Sequence, residues 1–345
     1  MVILRILLLP FAALYNLITW LRNRLYDQGL RPSIKFEVPV IGIGNLAVGG
    51  TGKTPLAEYL IRLLARDHKV ATLSRGYGRT TKGFHIAGIT DSADTLGDEP
   101  FQFYLKYGDK VTVAVGEERA YAIPNILQEH PDTQIILLDD AYQHRSVTPS
   151  LNILLSDYHR PFYNDLLLPA GRLRESRGGA ERADVVVVTK CPSDMSDEEI
   201  IEIEKTVREY VMKPVFFTHI RYGDPVAFAD HGLKLSDKIV LVSGISNHKP
   251  FEHYATQNFT VLKQFNFKDH HSYTTSDIEK LNRFAKEHPG ASILTTEKDK
   301  VKLEAKEFER YNRSLPLFYL PIEIEFIKNG QDFDEIVLNS IKRAG

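Results

Sequence analysis

Eight consecutive residues, Ala47, Val48, Gly49, Gly50, Thr51, Gly52, Lys53 and Thr54, combine backbone freedom, one cation and two hydroxyls. Such a stretch can turn several N–H groups toward phosphate oxygens, place an ammonium among them and offer a threonine hydroxyl to Mg²⁺. An apolar run (Val38, Val40, Ile41, Ile43) enters it and a helical pattern (Leu56, Tyr59, Leu60, Leu63, Leu64) leaves it. Strand, glycine loop and helix in that order are the context a phosphate-binding loop requires. Ala47 stands where the strict pattern has glycine, a small-residue variant.

A second chemical signal is the apolar run 135–138 ending in Asp139-Asp140. A carboxylate at a strand end is the other half of a phosphate-loop site, holding Mg²⁺ or its waters. Neighbouring residues on a strand point opposite ways, so the pair need not share a role. Asp139 is the first choice for the Mg²⁺ shell with Thr54, and Asp140 the second. Gly97-Asp98-Glu99-Pro100 precedes an aromatic helical pattern, where Asp98 reads most simply as a cap. His270-His271 lie in a polar loop before the helical pattern 274–288. Adjacent histidines without a spaced third ligand do not make a zinc site.

The elements that position these residues follow from periodicity. Continuous β-branched runs at 69–74, 111–115, 135–139, 152–156 and 184–189, separated by longer crossings, predict an α/β fold with a parallel sheet covered on both faces. Ligands then sit at the carboxyl ends of the strands. With 345 residues the chain has room for two domains. A net charge of −2 gives no support for a nucleic-acid partner, and a single cysteine, Cys191, excludes a disulfide framework. No protein partner is identifiable.

The first 28 residues differ from the rest. An apolar block, 6–20, is flanked by Arg5 and by Arg22 and Arg24, with Tyr15, Trp20 and Tyr26 in or near it. A cleaved signal is disfavoured by the absence of a small-residue cleavage pattern. A buried core helix competes with a helix lying in, or shallowly entering, a membrane interface, which the aromatic and arginine flanks favour.

Taken in order, several motifs resemble the tetraacyldisaccharide 4′-kinase (lipid A 4′-kinase) family. They are Gly44-Asn45 with 49–55, Ser74-Arg75-Gly76-Tyr77-Gly78, 97–100, Asp139-Asp140-Ala141-Tyr142-Gln143-His144, 168–175, Asp269-His270-His271 and Thr296-Glu297-Lys298-Asp299. The resemblance implies a P-loop NTPase-like α/β/α core (29–213), a smaller α/β domain (223–315) and a two-stranded linker (214–222 and 316–326). Residues 327–345 would return to the core, and 1–28 would form the membrane-associated helix. It implies transfer of the γ-phosphate of ATP, with Mg²⁺, to the 4′-hydroxyl of an acylated glucosamine disaccharide 1-phosphate, the lipid A precursor. The work would be done at the cytoplasmic face of the inner membrane, among its lipids. By the same resemblance Asp98 becomes the general base and His270 its partner. Arg75, Arg119, Arg172 and Arg174 become candidates for substrate or phosphate contacts, and Glu175 for the metal or substrate region. Lys298 and Asp299 match without a mechanical role.

Two other classes share parts of the pattern. A partitioning-type ATPase carries a further lysine near the loop start, where Val48 stands here, and a GTP-binding metallochaperone needs a cysteine cluster. Val187-Val188-Thr189-Lys190 faintly resembles a guanine-reading segment without completing it.

Overall fold

The structure is a computed structural model that describes residues 2–228, 234–269, 271–312 and 315–342. Among the described residues the strands form a nine-stranded and a five-stranded sheet. The larger runs Ile322–Phe326, Val215–Tyr222, Val185–Thr189, Leu151–Asp157, Val40–Asn45, Ile135–Leu138, Val70–Ser74, Val111–Val115, His85–Ile86. Its seven inner strands are mutually parallel, and the two edges are antiparallel. Parallel strands need both faces covered. The strand residues Val40, Ile41 and Ile43, together with Ile135 to Leu138, are accordingly buried. The five β-branched runs lie within a residue or two of their expected positions.

Val40–Asn45 pairs with Ile135–Leu138 on one side and Leu151–Asp157 on the other. Chain order therefore reverses at this strand, which opens a crevice at its carboxyl end. The helix Lys53–Leu64 begins there and buries Leu56, Leu60, Ile61 and Leu64 against the sheet. The helix Gly330–Lys342 packs Phe333 and Val337 into the same core.

The smaller sheet runs Thr260–Asn266, Lys238–Ser243, Ser292–Thr296, Leu317–Leu320, Val226–Ala227. Residues 316–326, expected as one strand, are two. Leu317–Leu320 pairs in parallel with Ser292–Thr296, whereas Ile322–Phe326 pairs antiparallel with Val215–Tyr222. Pro321 separates them, and its missing N–H breaks the ladder at the point where the chain changes sheets.

The helix Val2–Asp27 is longer than the apolar block that announced it. Only Ala12 of its described side chains is buried, while Leu7, Phe11, Leu14, Leu17, Ile18 and Trp20 are all more than half exposed. That excludes the core-helix alternative. It is long and apolar enough, over Arg5–Asp27, to cross a membrane.

Candidate active site

The glycine loop turns at the switch-point strand. Gly52 adopts φ 81°, a left-handed conformation that glycine takes without steric cost, and Lys53 opens the helix behind it. The segment 165–175 lies alongside: the Val48 N–H donates to the Arg172 carbonyl at 2.8 Å and the Arg174 N–H to the Leu46 carbonyl at 2.7 Å. Arg172 itself is paired with Asp165 at 3.1 Å.

At the end of Ile135–Leu138 the two acids part company. Asp140 takes φ 48°, a left-handed turn that short polar residues tolerate. Its carboxylate lies 3.5 Å from the Lys53 ammonium and accepts both Arg174 Nη atoms, at 2.9 and 3.2 Å. Burial works against ionisation there, yet Lys53 and Arg174 hold Asp140 well below the usual carboxylate range. Asp139 is buried, and its Oδ1 has no hydrogen-bond partner among the described residues. Burial, reinforced by Glu99, pushes its carboxyl well up against the pull of Lys53. An orphaned buried carboxylate oxygen beside a phosphate loop is what a hard divalent cation would satisfy. Among the described residues no cluster of three His, Cys, Asp or Glu side chains could chelate a metal unaided.

Asp98 is not the helix cap. Gly97 occupies that position at φ 92°, and a Cβ there would come within 2.9 Å of the Tyr77 carbonyl oxygen. The glycine thus lets the 97–100 motif lie against the 74–78 motif. Asp98 is the first residue of the helix Asp98–Tyr107 and lies 3.6 Å from Lys302 Nζ, which belongs to the helix Glu297–Leu303. Two helices about 200 residues apart in sequence therefore meet. His270 lies outside the described residues. Its neighbour His271 stacks on Phe267 at 4.4 Å and contacts Asp277 at 3.1 Å, a structural position.

Two of the substrate or phosphate candidates are buried. Arg119, expected to contact phosphate, is fully buried and directs its guanidinium to the carbonyls of Gly116 and Glu117. Its Nε and Nη2 have no hydrogen-bond partner among the described residues, and burial lowers it to about 10 against the attraction of Asp139 and Asp140. Glu175, expected near metal or substrate, is buried and accepts from Asn23 at 2.8 Å, Gln143 at 3.0 Å and Arg182 at 2.8 Å. It ties the N-terminal helix to the core. Tyr15 does the same, donating to the Arg174 carbonyl at 2.9 Å. Arg75 is exposed at the carboxyl end of Val70–Ser74.

Asp299 also gains a role. It accepts from the Gly244 N–H at 2.9 Å and the Thr296 hydroxyl at 2.7 Å, fixing the start of the helix Glu297–Leu303. Lys298 lies 3.6 Å from Asp269.

A cleft runs between the two sheets. Gly50 to Pro55, Glu58, Glu99, Gln102 and Lys190 line one wall, and Ser246, Asn247, Asp269 and Thr296 to Lys298 the other. Ile220, Tyr222, Leu320 and Ile322 close its back. Lys106 spans it, 2.6 Å from Glu58 and 2.8 Å from Glu297. Sequence reasoning missed Glu58, Glu99, Lys106, Glu297 and Lys302. Only Glu99 and Glu297 carried a signal, their places inside the 97–100 and 296–299 motifs.

A phosphate loop at the switch point of a doubly covered sheet, backed by a strand-end acidic pair, defines a P-loop α/β protein. A family profile described as Tetraacyldisaccharide-1-P 4′-kinase matches residues 4–342. The Tetraacyldisaccharide 4′-kinase of Flavobacterium johnsoniae is 45% identical, over 99% of this chain and 98% of its own length. That of Phocaeicola vulgatus is 41% identical over 94% and 92%. A crystal structure of LpxK from Aquifex aeolicus in complex with ATP aligns with TM-score 0.76 at 28% identity, covering 98% of this chain and 99% of that one. The chain belongs to the tetraacyldisaccharide 4′-kinase family and is a kinase.

Proposed function

We propose that this kinase transfers the γ-phosphoryl group of ATP to the 4′-hydroxyl of an acylated glucosamine disaccharide 1-phosphate, the lipid A precursor. The observation that carries the reading is that the phosphate loop and, through Glu99 and Gln102, the Asp98 helix line one cleft, with the strand-end Asp140 3.5 Å from Lys53 in that loop. Lys53 and the loop amides hold the β- and γ-phosphates, with Arg172 and Arg174 beside them and Arg75 at the rim. Thr54 and Asp139, with Asp140 behind, would hold Mg²⁺, which would supply charge neutralisation to the transferring phosphoryl group. The bond from the γ-phosphorus to the ADP oxygen breaks as the 4′-oxygen bonds to phosphorus. The hydroxyl proton passes to the Asp98 carboxylate, with His270 as that group's support.

The chain divides, on this reading, into a core at 29–213, a smaller domain at 223–315 and a linker at 214–222 and 316–326. Residues 327–345 return to the core. The exposed apolar side of the N-terminal helix enters the cytoplasmic face of the inner membrane, with its lipids around it, while its polar side stays bonded to Arg174 and Glu175. Labelling from γ-labelled ATP tests the activity. Label should appear in the disaccharide lipid, and ATP consumption should depend on it. Hydrolysis undiminished without lipid, with no labelled glycolipid, would overturn the reading.

A further inference from the structure

The strand Val185–Thr189 ends in the run Thr189-Lys190, which the chemistry above does not use. Lys190 adopts φ 59°, left-handed backbone that costs an L-residue energy and persists only where the surroundings hold it. Its ammonium is held by the Asp157 carboxylate at 2.7 Å, at the end of the neighbouring strand, and donates to the carbonyl of Gly50. The preceding residue does the same to the next carbonyl: Thr189 Oγ1 donates to Thr51 O at 2.9 Å. Thr189 also packs where a Cβ on Gly52 would lie, at 3.3 Å. Two consecutive side chains from one strand end thus pin two consecutive carbonyls of the phosphate loop.

Peptide geometry gives this contact a consequence. In a trans peptide the C=O and the following N–H point in opposite directions. Drawing the Gly50 and Thr51 carbonyls toward Thr189 and Lys190 therefore turns the Thr51 and Gly52 N–H groups the other way, away from that strand end. Those amides belong to the cradle a phosphate needs, and a cradle already formed loses little on binding. A cation on the carbonyl side also polarises the peptide and strengthens its N–H as a donor.

We propose that Thr189 and Lys190 are a peg that holds the phosphate loop in its ATP-binding shape, with Lys190 a positioning residue for the nucleotide. The proposal rests on the reading that this loop binds the phosphates of ATP. Lys190→Met removes the charged hydrogen bond while keeping much of the side-chain volume. It should raise KM for ATP about tenfold, the scale of one charge-assisted hydrogen bond, and lower kcat much less. KM for the lipid and the nucleotide-free Tm should hold. Lys190→Arg should restore most of the ATP affinity, and Thr189→Val, a second independent variant, should weaken it about threefold. ATP binding by calorimetry and steady-state kinetics on the full chain read all of this. Wild-type KM for ATP in Lys190→Met, while Lys53→Ala has lost ATP binding, overturns the peg. So does an equal rise in both KM values accompanied by a lower nucleotide-free Tm. Undiminished ATP binding by Lys53→Ala overturns instead the reading of the loop on which the peg depends.

Discussion

The two walls of the cleft hold their polar groups by different means. On the nine-stranded wall, Asp139, Asp140 and Thr189 stand at or just beyond the carboxyl ends of parallel strands, Lys53 opens the helix behind the glycine loop, and Arg174 is backbone-bonded to that frame. On the five-stranded wall, Asp269 and Lys298 belong to a loop and to a seven-residue helix. That wall reaches the first through the strand pair at the back and through side-chain charges, Lys106 to Glu297 and Lys302 to Asp98. One wall is preorganised by backbone, which suits electrostatic stabilisation of a transferring phosphoryl group. The other is tied by a few ionic links whose strength depends on burial. Damage to the first should therefore show in chemistry, and damage to the second in how the walls meet.

The largest effect should come from Lys53→Ala, with kcat/KM falling about 10³-fold and thermal stability little changed. Near-normal turnover would remove the first wall from the chemistry. Asp98→Asn should lower kcat about 10²-fold while ATP affinity stays close to wild type. A change confined to KM would reassign Asp98 to binding and blur the division between walls. Lys106→Met leaves Glu58 and Glu297 facing one another without their shared cation, in a site where burial already raises the Glu58 carboxyl. Stability should fall by about 3 kcal/mol in a denaturant titration, and Glu58→Gln added to it should recover part of the loss. An unchanged midpoint would mean the charged link does not join the walls.

Beyond the cleft, Leu14→Glu with Ile18→Glu alters only exposed positions. The protein should shift from the pellet to the supernatant in sedimentation with anionic vesicles, with helix content retained by circular dichroism. Continued pelleting would deny that face its membrane role. The smallest effect concerns the second wall alone. Burial opposes ionisation of Asp277, but bonds from Thr274, His271 and Lys280 hold its carboxyl down to about 2. A depressed folded value stabilises above the unfolded value of about 4 and is lost as pH falls toward 2. Asp277→Asn should thus lower Tm by a few degrees at pH 7, and the gap should close near pH 2. A gap independent of pH would point to packing instead of charge.

Legibility followed the same division. The strands of the larger sheet were readable because each is a continuous apolar run, and the phosphate loop because its residues are consecutive. Asp139 and Asp140 were readable as a strand-end pair, but the left-handed turn that separates their roles was not. Residues 316–326 carried one strand-like pattern, and only the sheet exchange at Pro321 divides it. Arg119 and Glu175 had the right residue types for phosphate or metal, and only the structure shows that both are buried. Nothing local distinguishes a buried arginine from one open to a ligand. The Glu58–Lys106–Glu297 link left no trace, because its members are separated by 48 and 191 positions.

The sequence by itself showed a glycine loop with its lysine and threonine, an acidic strand end behind it, and, apart from both, an apolar leader with arginine flanks. Each is written in neighbouring residues, since backbone freedom, strand periodicity and amphipathic flanking are short-range properties. The tertiary structure alone decided which carboxylate lies beside Lys53 and Arg174 and which acid keeps a buried oxygen without a hydrogen bond. It also decided that the leader's polar side is bonded to Arg174 and Glu175, and that Thr189 and Lys190 grip the loop from another strand. Those are contacts across 34 to 159 positions of chain, set by strand order and burial, which no window of sequence contains.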